Sequence, residues 1–295
     1  MYPAAVVVVG AALVDVRAEP AARWEPGPSL PGRVRVLAGG AGRNVAVDLA
    51  RLGHRPVLLS AVGVDPLGAW LLEVTAADGV DVSLVERRRA TGMFVTVGPG
   101  PGRCYRVADA AGLEGCGPAE AGRWAPVLST AALVACDANL LEPAQAVVAA
   151  ASQAAERVLL ATSPDKAPRL RAVLPGAAML VGTVQEAAVL SDLSGAAGWE
   201  AHAAALRDAG VAQVVVTCEA GIGVLDADGA IWQRAVAAPV VDPTGAGDAV
   251  AAAMIHARLV GWPPDRAAAF AARAAAAAVA SVENTPSALA ALARP

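Results

Sequence analysis

Residues 240–250 read VVDPTGAGDAV, an extended segment that runs through a turn of small residues into a helix. Backbone N–H groups at a helix start have no partner within the helix, and small side chains leave room beside them, so this turn predicts an anion site. Asp248 lies at the same place. It either caps the helix, as aspartate often does, or accepts a proton from a hydroxyl that is being phosphorylated. Asp242 and Thr244 already supply capping chemistry, which favours the second role.

The rest of the chain extends this strand-to-helix pattern. Residues 5–14 form an apolar run rich in valine, typical of a central parallel strand that is buried on both faces. From residue 130 onward, short apolar runs alternate with helical patterns, and the chain ends in helices predicted over 245–261 and 264–282. This alternation favours a mostly parallel sheet with helices on both faces. Because no long linker interrupts it, residues 1–295 are predicted to form one domain.

Two segments depart from this pattern. Residues 17–36 contain several prolines and glycines, and we expect them to be irregular. Residues 84–108 mix valines and aromatics with turn residues, which predicts antiparallel hairpins separate from the parallel core. Together, residues 16–37 and 86–110 are expected to form a small β lid over one edge of the main domain. Trp24 lies in this lid and is a candidate to cover a bound substrate.

The composition argues against several classes of protein. The net charge is −4 and the pI about 5.4, so no overall positive field attracts nucleic acid or anionic lipid. Aromatic residues make up 3% of the chain, too few for a platform that stacks bases. The four cysteines form no CxxC pair, and we expect reduced thiols. The first apolar run lacks a preceding basic region and is short, so we expect a cytoplasmic protein without membrane contact.

Two signatures resemble those of the ribokinase-like (PfkB) carbohydrate kinases. Residues 242–248 resemble that family's DTxGAGD signature. Residues 39–44, which read GGAGRN, resemble its first signature, a glycine pair shortly before an asparagine. The resemblance implies a ribokinase-like three-layer α/β sandwich with a small β lid, and an ATP-dependent kinase that uses Mg²⁺. It leaves a requirement for a monovalent cation open.

The resemblance also implies roles for the residues that match. Asp248 would deprotonate the substrate hydroxyl, while an anion hole would be formed by the amides of Gly245, Ala246 and Gly247. The substrate hydroxyls would be held by Asp15, Gly39, Gly40 and Asn44. A carboxylate and an amide can together accept from and donate to a vicinal diol. The residues alone also allow simpler interpretations, with Asn44 as a helix cap and Asp15 as a turn residue at a strand end.

The chain departs from the family pattern at two places. Where the family has an Asn-x-x-Glu motif that orders Mg²⁺ through water, residues 183–186 read TVQE, which leaves Glu186 as the metal-binding candidate. The nucleotide loop at 217–223 reads TCEAGIG, with Glu219 in place of a glycine, and a carboxylate near a triphosphate is unfavourable unless it points away or binds a cation. The nucleotide-binding candidates are Thr183, Thr217, Gly221, Gly223 and Thr244.

Within the family, the chain is most similar to the pseudouridine kinase branch. The similarity rests on GGAGRNVAVDLARLG at 39–53 and on short segments at 91–92, 107–114, 137–140 and 163–170. It implies transfer to the 5′-hydroxyl of pseudouridine, with the base contacted by Thr91, Asp109 and Lys166. A solvated lysine and a turn aspartate are the simpler interpretations of the last two.

Three alternatives stay open at this stage. The acceptor could be a free sugar such as ribose, or a conventional nucleoside. The chain could also be a non-catalytic protein that binds a sugar or nucleoside, because residues 183 and 219 depart from the donor-side pattern. Exposed strand edges in the lid further predict a homodimer formed through it.

Overall fold

The computed structural model describes residues 5–21, 29–98 and 104–292. Trp24 and the middle of the predicted turn around residues 98–102 lie outside the described residues. The strands, numbered along the chain, are β1 Ala5–Val9, β2 Leu13–Pro20, β3 Gly32–Gly39, β4 Val57–Leu59, β5 Ala61–Gly63, β6 Glu86–Arg88, β7 Met93–Val97, β8 Tyr105–Asp109, β9 Ala131–Asp137, β10 Glu156–Leu160, β11 Met179–Thr183, β12 Val214–Cys218, β13 Gly221–Asp226 and β14 Gly229–Arg234.

The helices cover both faces of the main sheet. They are α1 Ala41–Arg51, α2 Pro66–Ala77, α3 Ala111–Glu114, α4 Pro118–Arg123, α5 Ala125–Leu128, α6 Glu142–Ala151, α7 Val184–Ser191, α8 Trp199–Asp208, α9 Ala246–Leu259, α10 Pro264–Val279 and α11 Leu289–Leu292, with a 3₁₀ helix at Ala167–Val173. Within the described residues, no helix is both long and apolar enough to cross a bilayer.

The main sheet has eight strands in the order β14-β13-β12-β11-β10-β9-β1-β4. Within this sheet the parallel strands are β4, β1, β9, β10, β11 and β12, and β13 and β14 add an antiparallel hairpin at one edge. In β1, Val6 and Val8 enter one hydrophobic core, while Val7 and Val9 enter the core on the other face. This alternation follows from the two-residue period of a strand, and it explains why the run is apolar throughout. The predicted three-layer α/β sandwich is confirmed.

The two cores divide the helices into layers. The helices α1, α2, α9, α10 and α11 supply the apolar side chains of one core, and α3 to α8 with the 3₁₀ helix supply those of the other. Helix α9 is alanine-rich and packs against both α1 and α10, because small side chains let helix axes approach closely. The contact between α1 and α9 brings the two sequence signatures together.

The single strand predicted over residues 5–14 is wrong, because the apolar run divides into two strands. Beyond β1 the chain passes Gly10, where a side chain would collide with Asp137 and with the backbone of Gly42. It then enters β2, which belongs to a second sheet of order β3-β2-β7-β8. Asp15 therefore lies inside a strand of this second sheet, and its interpretation as a strand-end turn residue is also wrong.

The irregular structure expected for residues 17–36 is wrong at both ends of that segment. β2 and β3 pair antiparallel from Leu13 with Gly39 to Pro20 with Gly32. The sequence of β3, GRVRVLAG, alternates polar and apolar residues at the period of a strand, so the signal was present beside the glycines and prolines. The hairpin expected within 84–108 is formed by β7 and β8, whereas β6 pairs in parallel with β5 in a separate two-stranded sheet.

Candidate active site

The N-terminus of α9 forms an open anion-binding turn. Gly245 precedes the helix with a φ of 84°, in the left-handed region that favours glycine, and a Cβ there would collide with the carbonyl oxygen of Asn284. Within the described part of the chain, the amides of Gly245 and Gly247 donate to no protein acceptor, and Ala246 N donates only to Pro243 O at 3.4 Å. These amides at the positive end of the helix dipole can bind the charge of a phosphoryl group.

Asp248 lies in the first turn of α9 and receives a hydrogen bond from Asn44 on α1. The distance from Asn44 Nδ2 to Asp248 Oδ2 is 2.8 Å. Burial is the main cause that raises the pKa of Asp248 to about 7; the Asn44 hydrogen bond lowers this pKa, and the charges of Asp137 and Glu186 raise it. A carboxylate that titrates near neutral pH is suited to accept a proton from a substrate hydroxyl.

Asp137, the last residue of β9, holds the start of α1. Its Oδ2 accepts hydrogen bonds from Ala11 N at 2.8 Å and from Gly42 N at 3.0 Å. It therefore satisfies a first-turn amide that an N-cap side chain usually binds, since the N-cap residue is Gly40. Gly40 has a φ of 99° and no room for a Cβ beside the Ala11 carbonyl. Sequence reasoning missed this role, although a buried strand that ends in aspartate was an available signal.

Asp15 presents one unpaired oxygen. The residue is 2% exposed, and its Oδ2 accepts from Arg17 Nε at 3.3 Å, Arg17 Nη2 at 3.1 Å and Asn284 Nδ2 at 3.0 Å. Its Oδ1 is buried and has no hydrogen-bond partner among the described residues. Buried acceptors are rarely left unsatisfied, so this oxygen is available to a substrate hydroxyl. Gly39 lies beside it, because a Cβ at Gly39 would be 3.1 Å from Asp15 Cβ.

The structure connects Lys166 to this site through two polar residues. Lys166 Nζ donates to Asn139 Oδ1 at 2.6 Å, and Asn139 N donates to Asp137 Oδ1 at 2.8 Å. Lys166 is half-buried beyond the carboxyl end of β10. It is therefore held at the sheet edge where ligands of open α/β sheets bind.

The other two candidates for contact with a base have different surroundings. The Thr91 hydroxyl donates to Asp65 Oδ1 at 2.7 Å and accepts from Gly63 N at 3.0 Å. Because Asp65 is the N-cap residue of α2, these contacts stabilise the start of that helix. Asp109 is exposed at the end of β8. The roles of both residues at a base stay predictions.

Thr183 and Glu186 form a capping box at the start of α7. Glu186 Oε2 accepts from Thr183 N at 2.7 Å, and Glu186 N donates to Thr183 Oγ1 at 3.3 Å. Burial raises the pKa of Glu186. No group of three or more His, Cys, Asp or Glu residues that could hold a metal occurs in the described ranges. A single carboxylate fits a Mg²⁺ ion that keeps several waters and is bound mainly by nucleotide phosphates.

The other donor-side candidates lie around the hairpin of β12 and β13. Thr217 Oγ1 donates weakly to Gly182 O at 3.4 Å, and Glu219 is exposed in the turn that follows β12. A side chain at Gly223 would collide with the Trp199 ring, so this glycine has a packing role irrespective of any nucleotide. Gly221 lies at the start of β13.

Thr244 helps to shape the turn before α9. Its N–H donates to Asp242 Oδ1 at 2.8 Å, which is the hydrogen bond of an Asx turn. The two residues therefore hold the approach to Gly245. A contact between Thr244 and a nucleotide stays a prediction.

Asp48 is a buried carboxylate of α1 that no sequence motif identified. It lies on α1 one turn after Asn44, is fully buried, and has no hydrogen-bond partner for either carboxylate oxygen among the described residues. Burial and the nearby charge of Asp248 raise the pKa of Asp48 well above its ordinary value. No sequence signal identified it, since helical periodicity alone does not show that α1 is buried on nearly every side.

Comparisons with known proteins identify the family of the chain. Residues 3–290 match the model of the pfkB family of carbohydrate kinases. The chain is 28% identical over 265 residues to the pseudouridine kinase of Escherichia coli K12, a match that covers 88% of this chain and 85% of that protein. A second E. coli protein, an uncharacterized sugar kinase named YeiI, is 46% identical over 77 residues, and this match spans 26% of this chain and 21% of that protein.

Solved structures show the same fold. The ribokinase of Arabidopsis thaliana, solved with ribose and ATP, superposes with a TM-score of 0.85 and 23% identity, and the match covers 100% of both chains. At this identity the similarity supports the fold alone. The fold places the signature residues of α1 and α9 at the carboxyl edge of the parallel strands, as in other open α/β sheets that bind ligands.

Proposed function

The chain belongs to the pfkB family of carbohydrate kinases, which transfer a phosphoryl group to an alcohol, and from this premise we propose an ATP-dependent kinase that acts on the 5′-hydroxyl of a nucleoside, pseudouridine above others. The observation that supports the chemistry is the position of Asp248. This carboxylate, with its pKa of about 7, lies at the helix terminus where the amides of Gly245 and Gly247 donate to no acceptor among the described residues. A base and an anion hole at one place are what transfer to a hydroxyl requires.

The proposed mechanism assigns one step to each group. Asp15 and Asn44 bind hydroxyls of the acceptor and orient it, so that the reacting oxygen lies next to Asp248. Asp248 takes the proton of that hydroxyl as the new O–P bond forms. The amides of Gly245 and Gly247 stabilise the charge on the transferred group. When bound, MgATP would supply the γ-phosphoryl group, with ADP as the leaving group, and Glu186 is the residue that would hold the hydrated Mg²⁺.

The choice of pseudouridine is supported by similarity along most of the chain to a protein of that activity in E. coli. Lys166 supports it as well, since the lysine is fixed beside the proposed site by Asn139 at 2.6 Å. An ammonium group there could donate to a carbonyl of the base. Lys166→Met should then raise the KM for a nucleoside and leave the KM for ribose unchanged, as initial-rate assays would show.

A free sugar is the second candidate acceptor. A ribokinase that was solved with ribose shares the fold, and at 23% identity this similarity extends to the fold alone. A non-catalytic binding protein is a third candidate, which the substitutions at Thr183 and Glu219 motivate. The amides of Gly245 and Gly247, which have no acceptor in the part of the chain that the structure describes, and the neighbouring Asp248 argue for an active kinase.

We propose that the second sheet is both a lid and a dimer surface. Cross-strand partners lie on the same face, and the register places Val36, Val16, Val95 and Val107 in one row. Val36 is 51% and Val107 66% exposed. Because side chains alternate along a strand, Asp15 and Arg17 lie on the opposite face, towards the site. Light scattering should show a dimer, and Val36→Glu should give a monomer; a monomeric wild-type protein would contradict this proposal.

The proposed function is tested by ADP release with MgATP and four acceptors: pseudouridine, uridine, adenosine and ribose. Turnover that is fastest with pseudouridine supports both the chemistry and the acceptor. Turnover only with another acceptor keeps the kinase and rejects pseudouridine. Binding without turnover across the four acceptors would identify a binding protein.

A further inference from the structure

Arg17 lies between the acceptor side and the phosphate side of the site. It belongs to β2 of the second sheet, is 7% exposed, and its guanidinium contacts three residues from separate parts of the chain. Two of these are carboxylates, Asp15 on the same strand and Asp242 in the loop before α9. The third is Asn284, whose Oδ1 accepts from Arg17 Nη2.

Each carboxylate uses one oxygen for Arg17 and keeps the other for a different task. Asp15 Oδ2 accepts from the guanidinium, and Asp15 Oδ1 has no hydrogen-bond partner among the residues that the structure describes. Asp242 gives Oδ2 to Arg17 Nη1, while its Oδ1 accepts from Thr244 N at 2.8 Å and shapes the turn into Gly245. One guanidinium therefore fixes the orientation of both carboxylates.

Asn284 strengthens this connection. Its Nδ2 donates to Asp15 Oδ2 and to Ala38 O, each at 3.0 Å, and its backbone carbonyl fills the space beside Gly245. The three segments that meet here are distant in sequence, so the contact depends on the folded domain and has no local signal in the sequence.

We propose that Arg17 is a positioning residue that ties the acceptor carboxylate Asp15 to the loop 242–245 at the start of the anion hole. The role in catalysis rests on the proposed kinase function. A guanidinium suits it because its planar fork can donate to several acceptors at once, whereas a lysine ammonium acts as a compact point charge. Without Arg17, Asp15 and Asp242 would both lose an ion-pair partner.

Kinetics of Arg17→Ala and Arg17→Lys test the catalytic part, with Arg35→Ala as the matched control. Arg35 is the cross-strand partner of Arg17 on β3 and pairs with Glu19, and among the described residues it makes no hydrogen bond to Asp15, Asp242 or Asn284. We expect kcat/KM for the acceptor to fall about a hundredfold in Arg17→Ala, with a smaller change in the KM for MgATP. Added guanidinium should restore part of the kcat/KM that is lost in Arg17→Ala. The Arg17→Lys variant should have a lower kcat/KM than wild type. Arg35→Ala should behave as wild type.

Hydrogen exchange of the peptide that contains residues 240–250 tests the tie itself, whether or not turnover is found. Exchange should be faster in Arg17→Ala than in wild type and unchanged in Arg35→Ala. Asp242→Asn weakens the same contact from the loop side and should give a similar increase, which keeps the test valid if Arg17→Ala does not fold. If the wild-type protein shows no turnover, the proposed kinase function is refuted. The hydrogen-exchange result still decides whether Arg17 holds the loop 242–245. The proposal would be overturned if this peptide exchanged at the wild-type rate in both Arg17→Ala and Asp242→Asn.

Discussion

The acceptor side of the site, where we propose that the sugar or nucleoside binds, differs from the donor side, where we propose that MgATP binds. The two sides differ in how firmly other parts of the chain hold their polar and charged side chains. On the acceptor side, Asp15 and Asn44 are buried and bonded to residues of distant elements. On the donor side, Glu219 is exposed, and Glu186 bonds within its own helix start. The departures from the family pattern fall where few contacts constrain a side chain, so we expect them to affect donor binding with little effect on the fold.

The largest expected effect is on the acceptor side. Asp248→Asn removes the proposed base and should lower kcat about a thousandfold, with little change in acceptor affinity.

Burial raises the pKa of Asp248 to about 7, so its stabilising contribution is present at acid pH and is lost as pH rises through that value. The variant should therefore also have a higher Tm than wild type at about pH 8. Rapid-quench kinetics and thermal melts provide the two measurements, and an unchanged kcat would refute the assignment.

A smaller effect is expected from the residue that binds this base. Asn44→Ala removes the hydrogen bond that lowers the pKa of Asp248, so the pKa should rise and kcat below neutral pH should fall about tenfold. At higher pH the base ionises and much of kcat should return. A loss of kcat that is equal at every pH would show that Asn44 does not act through the pKa of Asp248.

On the donor side the expected effect is weaker. Glu219→Gln removes an exposed negative charge near the proposed triphosphate site and should lower the KM for MgATP about fivefold or less. Added salt should reduce the difference, because exposed charges are screened. Asp228→Asn removes a similar exposed charge at the opposite end of the β13–β14 hairpin and serves as the control. Equal effects of the two variants would place Glu219 away from the nucleotide.

The smallest effect concerns stability behind the acceptor side. Asp48 is buried, has no hydrogen-bond partner within the described ranges, and its pKa is raised, so its contribution to stability is lost as pH rises above the ordinary pKa of a carboxyl. Asp48→Asn should raise the free energy of unfolding by about 1 kcal/mol at neutral pH. Urea unfolding at about pH 4 and about pH 8 checks this, since the gain should grow with pH. A gain that is independent of pH would mean that burial of the charge is not the cause.

Much of the fold could be predicted from the sequence because its signals are local. The valine run of β1 and the glycine turn before α9 each specify their own structure. The path after β1 could not be predicted, because the apolar run continues through Gly10 and only contact with Asp137 shows where the chain leaves the sheet. The strands of the second sheet were missed because glycines and prolines outweighed a real alternation.

The site was predictable to the extent that its residues lie in contiguous motifs. Asp248 and Asn44 each stand in a signature, and the structure places them 2.8 Å apart. Arg17 and Asn284 carry no motif, because their role depends on segments that meet only after folding. Asp48 could not be identified, since its importance depends on complete burial and on the absence of partners in the described part of the chain.

The pH dependence of the second-order rate constant kcat/KM for the acceptor is the most direct test of Asp248 as the base, because kcat/KM reports the pKa of this residue before the acceptor binds. This rate constant should rise with pH through a midpoint near the pKa of about 7 and then level off, because only the ionised carboxylate accepts the proton. A rate constant that does not change between about pH 5 and pH 9 would contradict the assignment.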